Sequence, residues 1–173
     1  MPIASLTRAS SLASPPDRCL PPLPTNGRRP PPNTTWVKVG ITSDFPADGG
    51  AAIKCGDVQL AVYNFTSRGE WYACQNMCPH KNAFVLSRGI IGNTGKTPKV
   101  ACPLHTEPFS LQTGESLSGE GFAVEVFPVK VEGNGAFLLL PPKSQLDALL
   151  STELHCVRDC REKNATETEC ALI

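Results

Sequence analysis

Two short segments, Cys78-Pro79-His80 and Cys102-Pro103-Leu104-His105, hold the residues of this sequence best suited to chemistry. Each sets a thiol and an imidazole two or three positions apart, and in each a proline follows the cysteine. Together they spell C-x-H, an interval from Lys81 to Ala101, and C-x-x-H. Two cysteines and two histidines suit a [2Fe–2S] centre of mixed ligation, with thiolates on one iron and neutral imidazoles on the other. The thiolate-bound iron stays ferric, and the imidazole-bound iron, facing less negative charge, is the easier to reduce. Exchanging two anionic ligands for neutral ones lifts the potential to roughly −150 to +300 mV, against about −400 mV for all-cysteine plant-type clusters. The same four residues could make a tetrahedral zinc site. Zinc ligands of this set usually run as a C-x-x-C pair followed by a spaced histidine pair, so two mixed loops favour iron and sulfide. A chain with such a centre moves single electrons.

Holding two such loops together requires a rigid frame, and residues 36–142 read as one. Trp36 to Ile41, Ala51 to Cys55, Val58 to Phe65 and Trp71 to Gln75 are rich in β-branched and aromatic residues with rough alternation. Gly56-Asp57 and Arg68-Gly69-Glu70 supply turns between them. Later strands are expected over Lys99 to Cys102, Phe109 to Gln112, Ala123 to Val131 and Ala136 to Leu140, with Gly133-Asn134-Gly135 joining the last two. Short strands with little helical pattern predict an all-β domain, a small antiparallel sandwich or barrel. Both ligand segments fall where strands give way to turns, where a sheet can present loop residues to a metal.

The flanks differ from this middle part. Residues 1–35 hold nine of the 17 prolines, with Arg8, Arg18, Arg28 and Arg29 against the single acid Asp17. Proline at that density favours extended conformers and predicts a disordered spacer. An Arg- and Ser-rich, acid-poor segment also has the composition of an organelle import signal, but the amphipathic period of a transit helix is missing. In residues 143–173, Ser144 followed by Asp147 reads as a helix start, and Leu146, Leu149 and Leu150 as one apolar stripe packed on the sheet. His155, Cys156, Cys160 and Cys170 form only a weak metal pattern. Cys170-Ala171-Leu172-Ile173 has the form of a prenylation signal beside acidic rather than basic neighbours, and is read as a chance match.

Composition bounds the function from another side. At 173 residues the chain has room for one well-buried domain and two tails. Sixteen Lys and Arg balance sixteen Asp and Glu, which leaves no electrostatic footprint for nucleic acid or an anionic membrane surface. The apolar run Ala136 to Leu140 is strand-length, and no segment approaches the roughly 18 apolar residues of a spanning helix. Cys19, Cys55, Cys74, Cys156, Cys160 and Cys170 lack regular spacing, and an oxygen-sensitive thiolate site suits a reducing compartment, so no disulfide framework is expected. Cys74 reads as a strand-buried thiol, and the sequons at Asn33, Asn64 and Asn164 as chance matches to a loose pattern.

The stretch Trp71-Tyr72-Ala73, Gln75-Asn76-Met77-Cys78-Pro79-His80-Lys81 and Ala83-Phe84-Val85-Leu86-Ser87-Arg88-Gly89 resembles a known family. With Val100-Ala101-Cys102-Pro103-Leu104-His105, Phe109-Ser110-Leu111 and Phe127-Pro128-Val129-Lys130-Val131, it is similar to the small subunit or C-terminal Rieske domain of assimilatory NAD(P)H nitrite reductase. The resemblance covers residues 36–142 and excludes both tails. It implies a Rieske-type antiparallel β-sandwich with two cluster-binding loops, Cys78 and Cys102 on one iron, and His80 and His105 on the other. It further implies a one-electron relay in the reduction of nitrite to ammonium. FAD, sirohaem and a [4Fe–4S] cluster would then sit on a large partner subunit, because this sequence has no G-x-G-x-x-G opening a βαβ unit. Such a protein is expected in the cytoplasm, unless the first residues direct import into an organelle. A free-standing Rieske ferredoxin feeding an oxygenase, and a structural module of a larger reductase, are the other readings.

Departures from high-potential relatives carry expectations of their own. The disulfide-forming cysteines of their ligand loops are missing here, with Leu104 before His105 and Lys81-Asn82-Ala83 after His80. Glu107 and Phe109 stand where hydroxyl donors to the cluster sulfurs would be, so a potential at the low end of the range is expected. The third, covering loop corresponds to Ser116–Phe122, with Gly119, Gly121 and no proline, which predicts a loose cover. Phe84, Leu104 and Pro108 are expected to form an apolar docking rim.

Overall fold

A computed structural model describes residues 33–150 and 170–172. The spacer expected over 1–35 lies almost wholly outside the described residues, as do His155, Cys156 and Cys160.

The described residues fold as antiparallel sheets with one short α-helix. The first strands are β1 (Thr35–Ile41), β2 (Gly49–Cys55), β3 (Val58–Phe65) and β4 (Glu70–Gln75). Two short strands, β5 (Met77–Cys78) and β6 (Ala83–Phe84), follow, and then β7 (Ile90–Thr94), β8 (Thr97–Ala101) and β9 (Pro108–Ser110). The last elements are β10 (Val126–Phe127), β11 (Val129–Glu132), β12 (Gly135–Leu140), α1 (Lys143–Leu150) and β13 (Cys170–Leu172). One sheet has the order β1-β12-β11, a second β10-β4-β3-β2-β13, a third β7-β8-β9, and β5 pairs with β6 alone.

Strand β3 explains how one chain builds two cores. All of its residues except Gln59 and Asn64 are buried, so both of its faces are covered. Successive side chains point to opposite faces. Val58, Leu60 and Val62 therefore pack with Val39, Phe45, Phe127 and Leu138 in one core. Ala61, Tyr63 and Phe65 pack with Leu86, Val100 and Phe109 in the other, which also contains Cys78 and Cys102. Neighbouring β4 repeats the division, with Ala73 in the first core and Cys74 in the second.

Several expectations are corrected by the structure. The strand foreseen over Ala123 to Val131 is two strands: β10 pairs with β4, and β11 with β12. Pro128 stands between them; having no N–H to give to a ladder, it marks the point where the chain leaves one sheet for the other. The hairpin β7–β8 was not foreseen: the strand expected over Lys99 to Cys102 overlaps β8, but its partner Ile90–Thr94 mixes apolar and polar residues without strong alternation. Its two-residue turn begins with Gly95 at φ 61°, a conformation that glycine adopts without steric cost. Helix α1 begins two residues earlier than a Ser144 cap would set it, so Ser144 lies inside it, and the Pro142 carbonyl accepts from Gln145 and Leu146 N–H. The apolar stripe holds, with Leu146 and Leu150 buried and Leu149 packed beside them.

The segment Cys170–Leu172 supplies an edge strand to β2, with Cys170 opposite Cys55 in register. Cys55 is disulfide-bonded, against the expectation of thiols throughout. Cys74, Cys78 and Cys102 are free and buried. Among the described residues no helix is long and apolar enough to cross a membrane.

Candidate metal centre

The first ligand segment is a tight loop on the β5–β6 pair. Cys78 sits opposite Ala83 in register, so Pro79, His80, Lys81 and Asn82 form the turn, with Asn82 at φ 48°. The loop is anchored from below by two amides. Asn76, 1% exposed, receives the Ser87 N–H on its Oδ1 at 2.7 Å, and its carbonyl receives the N–H groups of Val85 and Leu86 at 3.0 Å. Its Nδ2 donates to Gln59 Oε1 at 2.9 Å. Gln75 Nε2 donates to the Met77 carbonyl at 2.6 Å, and its Oε1 accepts from the Glu125 N–H at 3.0 Å. Both amides belong to the motif read from the sequence, but nothing in residue type alone marks them as supports.

The second segment leaves β8 and returns as β9. The Cys102 N–H donates to the Glu107 carbonyl at 2.9 Å, and the Thr106 N–H to the Cys102 carbonyl at 2.8 Å. These bonds close the loop at its base, with Thr106 at φ 60°. The third segment, Ser116–Phe122, is closed by a bond from the Ser116 N–H to the Phe122 carbonyl at 3.1 Å. Gly114, at φ 81°, sets it up: a Cβ there would fall 2.0 Å from the Val124 carbonyl oxygen, which the glycine permits to approach.

The three loops meet at the cysteines and histidines. Ligand atoms of Cys78, Cys102 and His105 lie within 4.8 Å of one another, and Cys78 Sγ is 3.9 Å from His105 Nε2. His80 is not in that tight group, but its ring centroid lies 4.2 Å from that of His105. The Nδ1 atoms of both histidines are buried without a hydrogen-bond partner. Buried polar atoms are nearly always paired, so two orphans side by side are a strong local departure. Burial pushes the Cys78 thiol above its ordinary pKa, the backbone N–H groups of Lys81 and His80 pull it down, and nearby Cys102 raises it again. Two adjacent thiols with backbone donors, and two imidazoles with an uncommitted buried nitrogen, fit the donor set of a mixed-ligand [2Fe–2S] centre.

Around the centre, three features bear on the expectations. Leu104 is 57% exposed and Phe122 38%, while Phe84 and Pro108 are half-buried. Tyr63, wholly buried behind the cysteines, donates to the Leu86 carbonyl at 2.8 Å and lies 3.6 Å from Cys74 Sγ, so its hydroxyl is committed away from the ligand sulfurs. Glu107 is buried, and its Oε1 accepts from the hydroxyls of Ser116 and of Ser118, the latter at 2.5 Å. Burial alone would raise the Glu107 carboxyl, but these hydroxyls and the imidazoles of His105 and His80 hold it below its ordinary range. The third loop is therefore tied down, not loose, by a tie between residues nine and eleven positions apart, which no local pattern marks.

Similarities to known proteins agree with this geometry. Nitrite reductase [NAD(P)H] of Emericella nidulans is 42% identical over 129 residues, a stretch that is 69% of this chain and 11% of that protein. The ferredoxin subunit of 3-phenylpropionate/cinnamic acid dioxygenase from Escherichia coli strain K12 is 35% identical over 86 residues, 49% of this chain and 77% of that subunit. The solution structure of the E. coli protein NirD superposes with a TM-score of 0.55 at 27% identity, covering 61% of this chain and 96% of that one. The chain thus spans about a tenth of the length of the Emericella enzyme. The profile of the Rieske-like [2Fe-2S] domain matches residues 35–138, the span that contains both ligand loops and the sheets beneath them, and the chain belongs to that family.

Proposed function

We propose that Cys78 and Cys102 hold one iron and His80 and His105 the other, and that the chain is the one-electron carrier of an assimilatory NAD(P)H nitrite reductase. The observation that carries the ligand assignment is the pair of buried, unpartnered Nδ1 atoms next to two free thiols. A [2Fe–2S] cluster bound there supplies a one-electron couple. The chain's own part is to hold the thiols on backbone N–H groups, to fix the imidazoles between loops, and to keep water out with the apolar core beneath. Flavin, sirohaem and a [4Fe–4S] cluster belong on a large partner subunit or on the rest of a longer chain, where nitrite is reduced to ammonium. Support for this partner comes from the 42% identity to a nitrite reductase of which the matched stretch is only 11%. Such a relay works in the cytoplasm, and residues 36–142 form its Rieske domain between two tails. Leu104, Phe84 and Pro108 would meet the partner.

A second reading is favoured by the dioxygenase ferredoxin subunit, which this chain covers over 77% of its length: a carrier feeding an oxygenase. Co-purification separates the two, since one predicts a sirohaem protein and the other a mononuclear iron oxygenase. The assignment itself is tested by electron paramagnetic resonance on anaerobically purified, dithionite-reduced protein, with iron and sulfide quantified on the same sample. A rhombic spectrum with two irons per chain is expected. Zinc in place of iron, or no metal, would overturn it.

A further inference from the structure

We propose that Glu107 is a positioning residue whose buried carboxylate latches the Ser116–Phe122 loop over the histidine pair through the hydroxyls of Ser116 and Ser118. The effect on a bound cluster rests on the ligand reading above; the latch itself is a property of the chain without metal.

Glu107 is only 6% exposed, although it lies on a loop rather than within a strand. A carboxylate is costly to bury unless donors replace its water. Here the donors are two serine hydroxyls from the third loop, both on Oε1, and the two hydroxyls are 3.0 Å from each other. The Ser118 N–H, which donates to Ser116 Oγ at 3.3 Å, extends the network into the backbone of the same loop. The main chain of Glu107 meanwhile accepts from the Cys102 N–H. One residue therefore closes the second ligand loop with its carbonyl and reaches the covering loop with its side chain.

The loop has little else to fix its far end. A Cβ at Gly119 or Gly121 would meet nothing within 4 Å, so that part of the loop stands clear of the domain. Its inner end is held by the Leu117 N–H on the Pro108 carbonyl at 2.8 Å and by the Ser116–Phe122 backbone bond. Phe122, brought back by that closure, lies with its ring centroid 5.1 Å from His80 at a tilt of 59°. Bonds to a charged acceptor are roughly twice as strong as neutral ones. The latch thus works with the Ser116–Phe122 backbone bond to keep Phe122 against His80.

The test uses the full chain, purified anaerobically, with two readouts: amide hydrogen exchange at Ser116 and Leu117, and the rate at which the visible spectrum bleaches in air with EDTA. Glu107→Ala should speed exchange at these amides roughly tenfold or more, as expected for losing a charge-assisted hydrogen bond, while β1 and β12 amides stay protected. Bleaching should accelerate in the same variant. Glu107→Gln, which keeps an accepting carbonyl, should restore most of both properties. Ser116→Ala/Ser118→Ala should free the loop at least as much as Glu107→Ala, because it also strands the buried carboxylate, and the triple variant should be no worse than the serine pair, because all three act through one contact. Loop exchange within about twofold of wild type in Glu107→Ala, or effects that multiply in the triple variant, would overturn the latch. If Glu107→Ala fails to fold, the serine pair decides alone. A wild-type chain that binds no cluster defeats the ligand assignment and leaves the exchange result to judge the latch.

Discussion

The imidazole rings of His80 and His105, contributed by different loops, lie 4.2 Å apart with their planes tilted by 50°. His80 is backed by Phe122 and His105 by the bonds that close the second loop, so the pair exists only when three segments are assembled. This arrangement makes the centre all-or-none. Cys78→Ser and His105→Ala should each reduce bound iron from about two per chain to a trace, measured by metal analysis with thermal unfolding as a control for the fold. Normal turnover of the partner enzyme with His105→Ala would instead favour a purely structural module.

Leu104 stands out between Cys102 and His105 with more than half of its surface in solvent. An apolar side chain held outward on the loop that carries a candidate ligand is read as part of an interaction surface. Leu104→Asp should leave the visible and paramagnetic spectra unchanged and slow electron transfer to the partner by roughly tenfold, read by stopped flow. Equal transfer rates in variant and wild type would reject the rim.

Asn76 supports the first loop from four directions while almost fully buried. Asn76→Ala removes its side-chain bonds, leaving the Ser87 N–H and the Gln59 amide without partners. Destabilisation of roughly 1–3 kcal/mol is expected in chemical denaturation.

The second core sets an alkaline limit. Burial drives the Cys74 thiol up to about 12, the Tyr63 hydrogen bond offsetting only part of the rise, and burial likewise carries the Tyr63 hydroxyl well above its ordinary value. Both groups are neutral when folded and ionise more readily when unfolded. Their contribution to stability is complete below the unfolded pKa and is lost as pH rises toward the folded one. Stability should be level near neutrality and fall from about pH 9 to pH 12, with Cys74→Ala flattening the decline. An equally steep fall in that variant would contradict the assignment.

Among the described residues, the candidate donors toward the ligand loops are engaged elsewhere or lack a hydroxyl. Phe109 offers none, Glu107 accepts rather than donates, and Tyr63 is engaged by the Leu86 carbonyl. A reduced, more negative centre is therefore weakly stabilised. The midpoint potential should fall below 0 mV, toward roughly −150 mV, in protein-film voltammetry. A value well above zero would show that donors have been missed.

How much of this was legible in the sequence follows from the range over which each interaction acts. Strand β3 was read residue for residue because its β-branched and aromatic residues lie between clear turn residues, Gly56-Asp57 before it and Arg68-Gly69 after it. The two loops that bring Cys78, Cys102 and His105 together were marked by residue types at short spacing within each loop. Pro128 was legible in principle, yet a smooth apolar stretch on either side concealed a change of sheet. The Glu107 latch and the pairing of Cys170 with Cys55 join positions that no periodicity connects. Such contacts appear only once the chain is folded.

Because neighbouring residues of β3 serve different cores, the two halves of the molecule share a wall and not merely a border. A slip of one position would deliver every side chain of that wall to the wrong room. Heat or denaturant should then find no intermediate in which the frame survives without the redox half. A fragment cut to carry only the ligand loops would lack the strand that gives their floor its other side.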